Sequence, residues 1–143
     1  MRFMIIRKAD VDSEAGLMPS HELLNAMTQY NQRMADAGII VGGEGLHPSS
    51  RGARISFSGG KPTVTQGPFA GAGEMIAGFT LIEVKSRDEA LEWVRQWPVE
   101  DANGNAQLEL RQVFTADDFG EAFTPELRAQ EDAMRDEIAV RAH

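Results

Sequence analysis

Residues 54–85 read RISFSGGKPTVTQGPFAGAGEMIAGFTLIEVK, and the fold follows from how this stretch divides. Ile55 and Phe57 alternate with Arg54, Ser56 and Ser58, which predicts a strand with one face to a core and one to water. Gly59-Gly60 suits a tight hairpin, because both positions tolerate positive φ. The returning strand reaches Thr65 and carries Pro62, which lacks a ladder donor and places that strand at a sheet edge. Gln66-Gly67-Pro68-Phe69 and a small-residue loop, Ala70–Gly73, then lead into Met75–Val84. That last run is apolar at successive positions save Thr80 and Glu83, the pattern of a central strand buried on both faces.

Outward from there, Arg2–Arg7 (Phe3, Met4, Ile5, Ile6 in succession) is a second such strand, followed by a polar connection from Lys8 to Met18 with no clear periodicity. Ser20 is placed to cap a helix whose apolar face is Leu23, Met27, Tyr30, Met34 and Ala37, and Gly38 ends it. Ile39-Ile40-Val41 is a short strand. Ser86 and Glu89 form a capping-box pattern opening a helix that buries Ala90, Leu91, Val94 and Trp97 before Pro98. Leu108, Leu110 and Phe114 mark a last strand, with Gln112 sharing their inward parity. Thr124-Pro125 starts a final helix with a thin apolar stripe of Leu127, Met134 and Ile138. Two βαβ-like halves of this kind predict an α+β, ferredoxin-like βαββαβ sandwich of the dimeric α+β barrel type with a C-terminal helix. Residues 1–120 would form the α+β domain, and 121–143 a helix on the surface or at a dimer contact. Helices cover only one sheet face, so a second copy is expected to cover the other.

Composition narrows the function. At 143 residues with 42% hydrophobic and 25% charged content the chain is an ordinary globular domain, burying roughly 68% of its unfolded surface. It has no cysteine, so disulfides and thiolate metal sites are excluded. A formal net charge of −8 opposes nucleic-acid phosphates. The run Phe3–Ile6 is too short for a signal segment, and no stretch suits a membrane span, so a cytoplasmic protein is expected.

The candidate chemistry lies in the loops. Gly42-Gly43-x-Gly45 and Gly71-x-Gly73 lack the strand–loop–helix context and the lysine of a phosphate site, so no cofactor is expected, and close packing is the ordinary use of such glycines. His21, His47 and His143 have no ligand spacing, so no metal is expected. His47, in the bend Gly45–Ser50, is either a surface histidine or an acid–base group. Arg54 is either a surface ion-pair partner or a bidentate anchor for a carboxylate or enolate oxygen. Phe69, on a rigid turn, either walls a pocket or plugs a core. No nucleophile elbow is present.

Thr63–Ala70 with Glu74–Phe79, Gly43–Ser50, Gly52–Ile55, Glu83–Ser86 with Glu89-Ala90, Leu110–Phe114, Asp118–Gly120 and Thr124–Leu127 together resemble the YciI-like (YCII-related) family, in its branch with an Asp-Gly-Pro-Phe motif. The resemblance implies the ferredoxin-like fold, a dimer with sheets face to face, and a site near the Gly-Pro-Phe turn. It also implies a histidine–aspartate pair, small-molecule breakdown such as dehydrochlorination in some members, and association with sigma factors in others. Here the motif's aspartate is Gln66, which hydrogen-bonds but does not ionise. The family histidine near the first helix has only His21 as a candidate. Two readings follow. One is a homodimer binding a small molecule through Glu44, His47, Ser49, Arg54, Gln66, Phe69 and His21, with His47 and Arg54 as catalytic pair in a lyase- or isomerase-like reaction. The other is a non-catalytic sensor or interaction module with a partner such as a sigma factor.

Overall fold

The computed structural model describes residues 1–142, so His143 lies outside it. These residues form two compact units, Met1–Gln112 and a second beginning at Val113. The first contains β1 (Arg2–Lys8), α1 (Val11–Glu14), α2 (His21–Asp36), β2 (Ile40–Gly45), β3 (Ala53–Ser58), β4 (Lys61–Gln66), β5 (Ile76–Glu83), α3 (Arg87–Val94) and β6 (Leu108–Gln112). Four strands build an antiparallel sheet in the order β2-β5-β1-β6, while β3 and β4 form a separate two-stranded ribbon. With the ribbon set aside, the succession β1-α2-β2-β5-α3-β6 in that strand order is the ferredoxin-like topology. The two strands that are apolar on both faces, β1 and β5, are the two central ones.

Register decides which side chains enter the core. Phe3 lies opposite Ile82 and Ile5 opposite Thr80, which puts alternate residues on the helix-covered face. There Phe3, Ile5 and Ile82 pack with Tyr30, Met34, Ile39, Val84 and Ala90. The Tyr30 hydroxyl donates to the Trp93 carbonyl at 2.6 Å, and its ring meets Trp97 edge-on at 5.6 Å. Burial pushes the Tyr30 hydroxyl up to about 12, against a smaller opposing effect of Arg33. On the other face, Met4 opposite Leu81 and Ile6 opposite Phe79 are only half-buried.

The caps follow the side chains. Ser20 Oγ accepts from Leu23 N–H at 3.1 Å, and Gly38 takes φ +72° just past α2. Ser86 Oγ accepts from Glu89 N–H, but the Glu89 carboxylate returns to Lys85 N–H, one residue earlier than a capping box requires. Gly43 lies within β2, where an added Cβ would sit 2.6 Å from the Phe79 carbonyl oxygen, so it is needed for close strand approach.

Several expectations are corrected. The connection Lys8–Met18 contains α1, started by a true capping box in which Ser13 N–H donates to Asp10 Oδ1 and Asp10 N–H to Ser13 Oγ. No apolar run follows it, so periodicity gave no signal. The ribbon is not half-buried: Ile55, Phe57 and Val64 are 54%, 71% and 56% exposed, because the hairpin leaves the main sheet instead of joining it. Its turn is as expected, with Gly59 and Gly60 both at positive φ. Trp97 lies beyond the end of α3, Ala37 is exposed, and Gln112 and Phe114 are exposed instead of inward.

The first unit also holds a partly buried ionic clasp that no local sequence pattern announces. Arg7 Nε and Nη2 each donate to Asp101 at 2.8 Å. Nη2 also reaches Asp10 at 3.1 Å, and Nη1 the Lys8 carbonyl. Trp97 Nε1 donates to Asp101 at 2.9 Å. Burial pushes the Asp101 carboxyl up, but hydrogen bonds from Arg7 and Trp97 with the Arg7 charge outweigh it and leave the group below its ordinary value. Asp10 is lowered chiefly by the Ser13 N–H, with Arg7 adding to it against burial.

The second unit holds a 3-10 segment, Ala116–Ala122, and α4 (Pro125–Arg141), capped by Thr124 Oγ1 accepting from Leu127 N–H. Phe119 lies 5.0 Å from Phe114 and 5.7 Å from Phe123 between ring centres. No residue of α4 is buried. Among the described residues no helix is long and apolar enough to cross a membrane.

The clasp gives a test. Asp101→Ala leaves the Arg7 charge poorly paired and is expected to lower unfolding free energy by about 3–5 kcal/mol in urea titrations at pH 7. Asp101 and Asp10 are both held below their ordinary value of 3.8 when folded, so they stabilise above it and lose that contribution as pH falls through the folded values. Wild-type stability is therefore expected to fall below about pH 4, and Asp101→Asn to show a shallower acid limb.

Candidate functional site

Three segments distant in sequence meet at one edge of the first unit. Glu14, the last residue of α1, accepts the Ser49 N–H on Oε1 at 2.9 Å and the Ser49 hydroxyl on Oε2 at 2.5 Å. Ser49 opens a 3-10 turn, Ser49–Arg51. Its Oγ in turn accepts the Phe69 N–H at 3.0 Å. The Gly67 N–H adds a bond to the Gly52 carbonyl at 2.9 Å. The Gly67–Pro68 peptide is cis. A Cβ on Gly67 would lie 1.7 Å from the Ser49 carbonyl oxygen, so only glycine fits where the two turns cross.

On this junction Arg54 stacks over the Phe69 ring, with Cζ 4.1 Å from the ring centre. Stacking of a guanidinium on an aromatic face is favourable by about 0.5–1 kcal/mol at an exposed site. Arg51 Nη1 donates to the His47 ring, 3.0 Å from Nε2. Ser49 and Phe69 are half-buried, whereas His47, Arg51 and Arg54 are exposed. The result is an open shelf with a fixed floor and cationic side chains above it.

The sequence candidates divide accordingly. Ser49, Arg54 and Phe69 are brought into contact, with His47 tied to the same turn through Arg51. Gln66 ends β4 opposite Ala53, immediately before the turn, and is exposed. Glu44 lies on β2 opposite Phe79 and is exposed on the sheet's uncovered side. His21 is the exposed first residue of α2, and no hydrogen bond joins it to the others among the described residues. Glu14 and Arg51 went unrecognised. Arg51 had a weak signal, four residues after His47 in a bend. Glu14 had none, being 35 positions from its partner.

The bonding sets what each group can do. Both Glu14 oxygens are engaged by Ser49, so Glu14 holds the loop in place. Ser49 Oγ donates once and accepts once, acting as a bridge instead of a free nucleophile. Arg54 has no protein acceptor among the described residues, whereas both His47 ring nitrogens lie within reach of Arg51 Nη1. Among the described residues no three His, Asp or Glu side chains are gathered as a metal site would need.

A family profile described as "YCII-related domain" matches residues 1–114. An uncharacterized protein of Rhizobium meliloti is 32% identical over 73 residues, 51% of this chain and 59% of that protein. The match therefore spans about three-fifths of that relative's length. Among solved structures, the 5-chloro-2-hydroxyhydroquinone dehydrochlorinase (TftG) of Burkholderia phenoliruptrix, in complex with 2,5-dihydroxybenzoquinone, is 18% identical with a TM-score of 0.46, covering 80% of this chain and 94% of that one.

Removing the bridge should loosen the turn. Ser49→Ala deprives the Phe69 N–H of its acceptor and leaves Glu14 without its hydroxyl donor, an expected cost of about 1–3 kcal/mol. Hydrogen exchange is the direct measurement, with the Phe69 amide expected to lose protection before the core amides of β1 and β5.

Proposed function

The chain belongs to the YCII-related family, and on that premise we propose that it binds a small organic molecule on the shelf between the Ser49–Arg51 turn and Gly67-Pro68-Phe69. The observation that carries this reading is the Glu14–Ser49–Phe69 tie. Exposed loops are ordinarily the mobile parts of a fold. Here a charged group and a hydroxyl are committed to fixing two of them against each other, and a prefixed surface lowers the ordering cost of binding.

In this reading Ser49 and Phe69 form the floor, Gln66 offers an uncharged hydrogen-bonding amide, and Glu44 and His21 are outlying contacts. Turnover is of the lyase or isomerase kind, with His47 moving a proton while Arg54 faces the developing oxyanion. The likeness of Gln66-Gly67-Pro68-Phe69 to the Asp-Gly-Pro-Phe pattern supports membership of that branch, which is part of the proposal. A cytoplasmic homodimer closed over Met4, Ile6, Phe79 and Leu81 is also part of it, supported by the half-buried apolar face that α2 and α3 leave.

A second reading, a non-catalytic sensor or interaction module, is favoured by two features. Gln66 is an amide where the family pattern carries an acid. The stripe of α4, Leu127, Met134 and Ile138, is 48%, 46% and 57% exposed and suits a partner such as a sigma factor.

Light scattering at micromolar concentration is expected to give a dimer, and Ile6→Glu a monomer; a wild-type monomer would remove the dimer from the proposal. Once a ligand is found by thermal shift, His47→Ala is expected to lower turnover by about 10²-fold or more. Unchanged turnover would exclude His47 as the proton carrier, and activity gained by Gln66→Asp would mark the natural site as a weakened catalyst.

A further inference from the structure

We infer that the ligand of this shelf is a small organic carboxylate, gripped by the guanidinium of Arg54; the inference rests on the shelf being the binding site. The chain carries 22 acidic and 14 basic residues, so carboxylates are abundant and most arginines have one. Arg2, Arg7, Arg95, Arg111, Arg128, Arg135 and Arg141 all form ion pairs. Arg51 and Arg54 have none among the described residues. Arg33 and Arg87 also lack one, but both sit among acids. Glu22 and Glu100 line the same hollow as Arg33, and Asp88 and Glu89 follow Arg87.

The shelf is different. From Arg51 to Gln66 the chain carries Arg51, Arg54 and Lys61 and no acidic residue. The carboxylate held at the junction, Glu14, has both oxygens turned to Ser49. Two arginines three positions apart are thus left without a carboxylate in a protein that has a surplus of them. A negative group supplied from outside would complete the site.

The geometry also says how that group is met. The five N–H donors of a guanidinium lie in its plane. Arg54 Cζ lies over the Phe69 ring, 4.1 Å from its centre, so the ring backs the guanidinium. No protein group accepts from its donors among the described residues. The Phe69 backbone that carries this ring is held through its N–H by Ser49 and Glu14. Arg54 is in this way a planar fork set against a held turn and without a protein acceptor among the described residues, which matches the two oxygens of a carboxylate. Arg51, whose side chain bonds to His47 alone among the described residues, adds positive potential to the same turn. A phosphoryl group is less well served: no helix N-terminus follows a glycine loop here, and Lys61 lies at the far end of the ribbon, opposite Ser58.

The test is a titration of the full chain, 15N-labelled, with sodium benzoate, with its neutral counterpart benzamide and with inorganic phosphate, read at the Phe69 N–H and the Arg54 Nε–H. Benzoate is expected to shift both signals saturably, and benzamide and phosphate to bind at least tenfold more weakly. Arg54→Met should weaken benzoate at least tenfold. Arg54→Lys, which keeps the charge but not the fork, should fall between, with thermal melts showing both variants folded. Equal benzoate affinity in Arg54→Met, or equal affinity for benzamide, would overturn the anion inference and leave the shelf as a site for neutral ligands. Phosphate binding as tightly as benzoate would overturn the choice of carboxylate. Saturable shifts confined to residues away from the shelf, or none with any probe, would overturn the shelf reading itself and this inference with it.

Discussion

The antiparallel pairing of β1 with β5 is the constraint on which the rest of the first unit depends. Phe3 opposite Ile82 and Ile5 opposite Thr80 fix which side chains face the helices, and a slip of one residue would send all of them to the other side. With that register Tyr30 and Met34 of α2 and Ala90 of α3 find an apolar floor, and Tyr30 is buried deeply enough to need its bond to the Trp93 carbonyl. The same register leaves Met4, Ile6, Phe79 and Leu81 on a face that α2 and α3 do not reach.

The ends of the two central strands also place the site. After Lys8, β1 runs into Asp10 and α1, and the Arg7–Asp101 clasp holds that exit against the turn beyond α3. This anchoring keeps α1 where Glu14 can reach Ser49. Before β5, the chain passes from β4 through Gly67-Pro68-Phe69, and the Gly67 backbone lies so close to the Ser49 carbonyl that a side chain is excluded. The shelf is therefore a by-product of how two central strands are entered and left, with a hydroxyl bridge added to lock it. The ribbon β3–β4 hangs from the same junction, so that Arg54, at the start of β3, is delivered onto Phe69.

Much of this was legible from the residues. Doubly apolar runs identified the central strands, the step of three and four identified α2, Ser20 and Ser86 marked helix starts, and Gly59-Gly60 the hairpin turn. Those signals are local: they depend on backbone geometry within a few residues and on which side of an element is apolar. The ribbon was misjudged for the same reason. Alternation of Ile55 and Phe57 with polar neighbours states that one face is apolar, not that anything covers it.

The sequence by itself determined the order and type of the main elements, though not α1, and through them the ferredoxin-like class, because periodicity and caps are imposed by neighbours along the chain. It also identified Ser49, Arg54 and Phe69 as residues to watch. Only the tertiary structure decided that Phe69 meets both Ser49 and Arg54, that Gly67 is required by the Ser49 carbonyl, and that Glu14 holds the Ser49 turn in place. Hydrogen bonds spanning 35 and 20 positions leave no pattern in the intervening residues. They exist because β-pairing brings the loop ends together, and that closeness is a property of the folded chain alone.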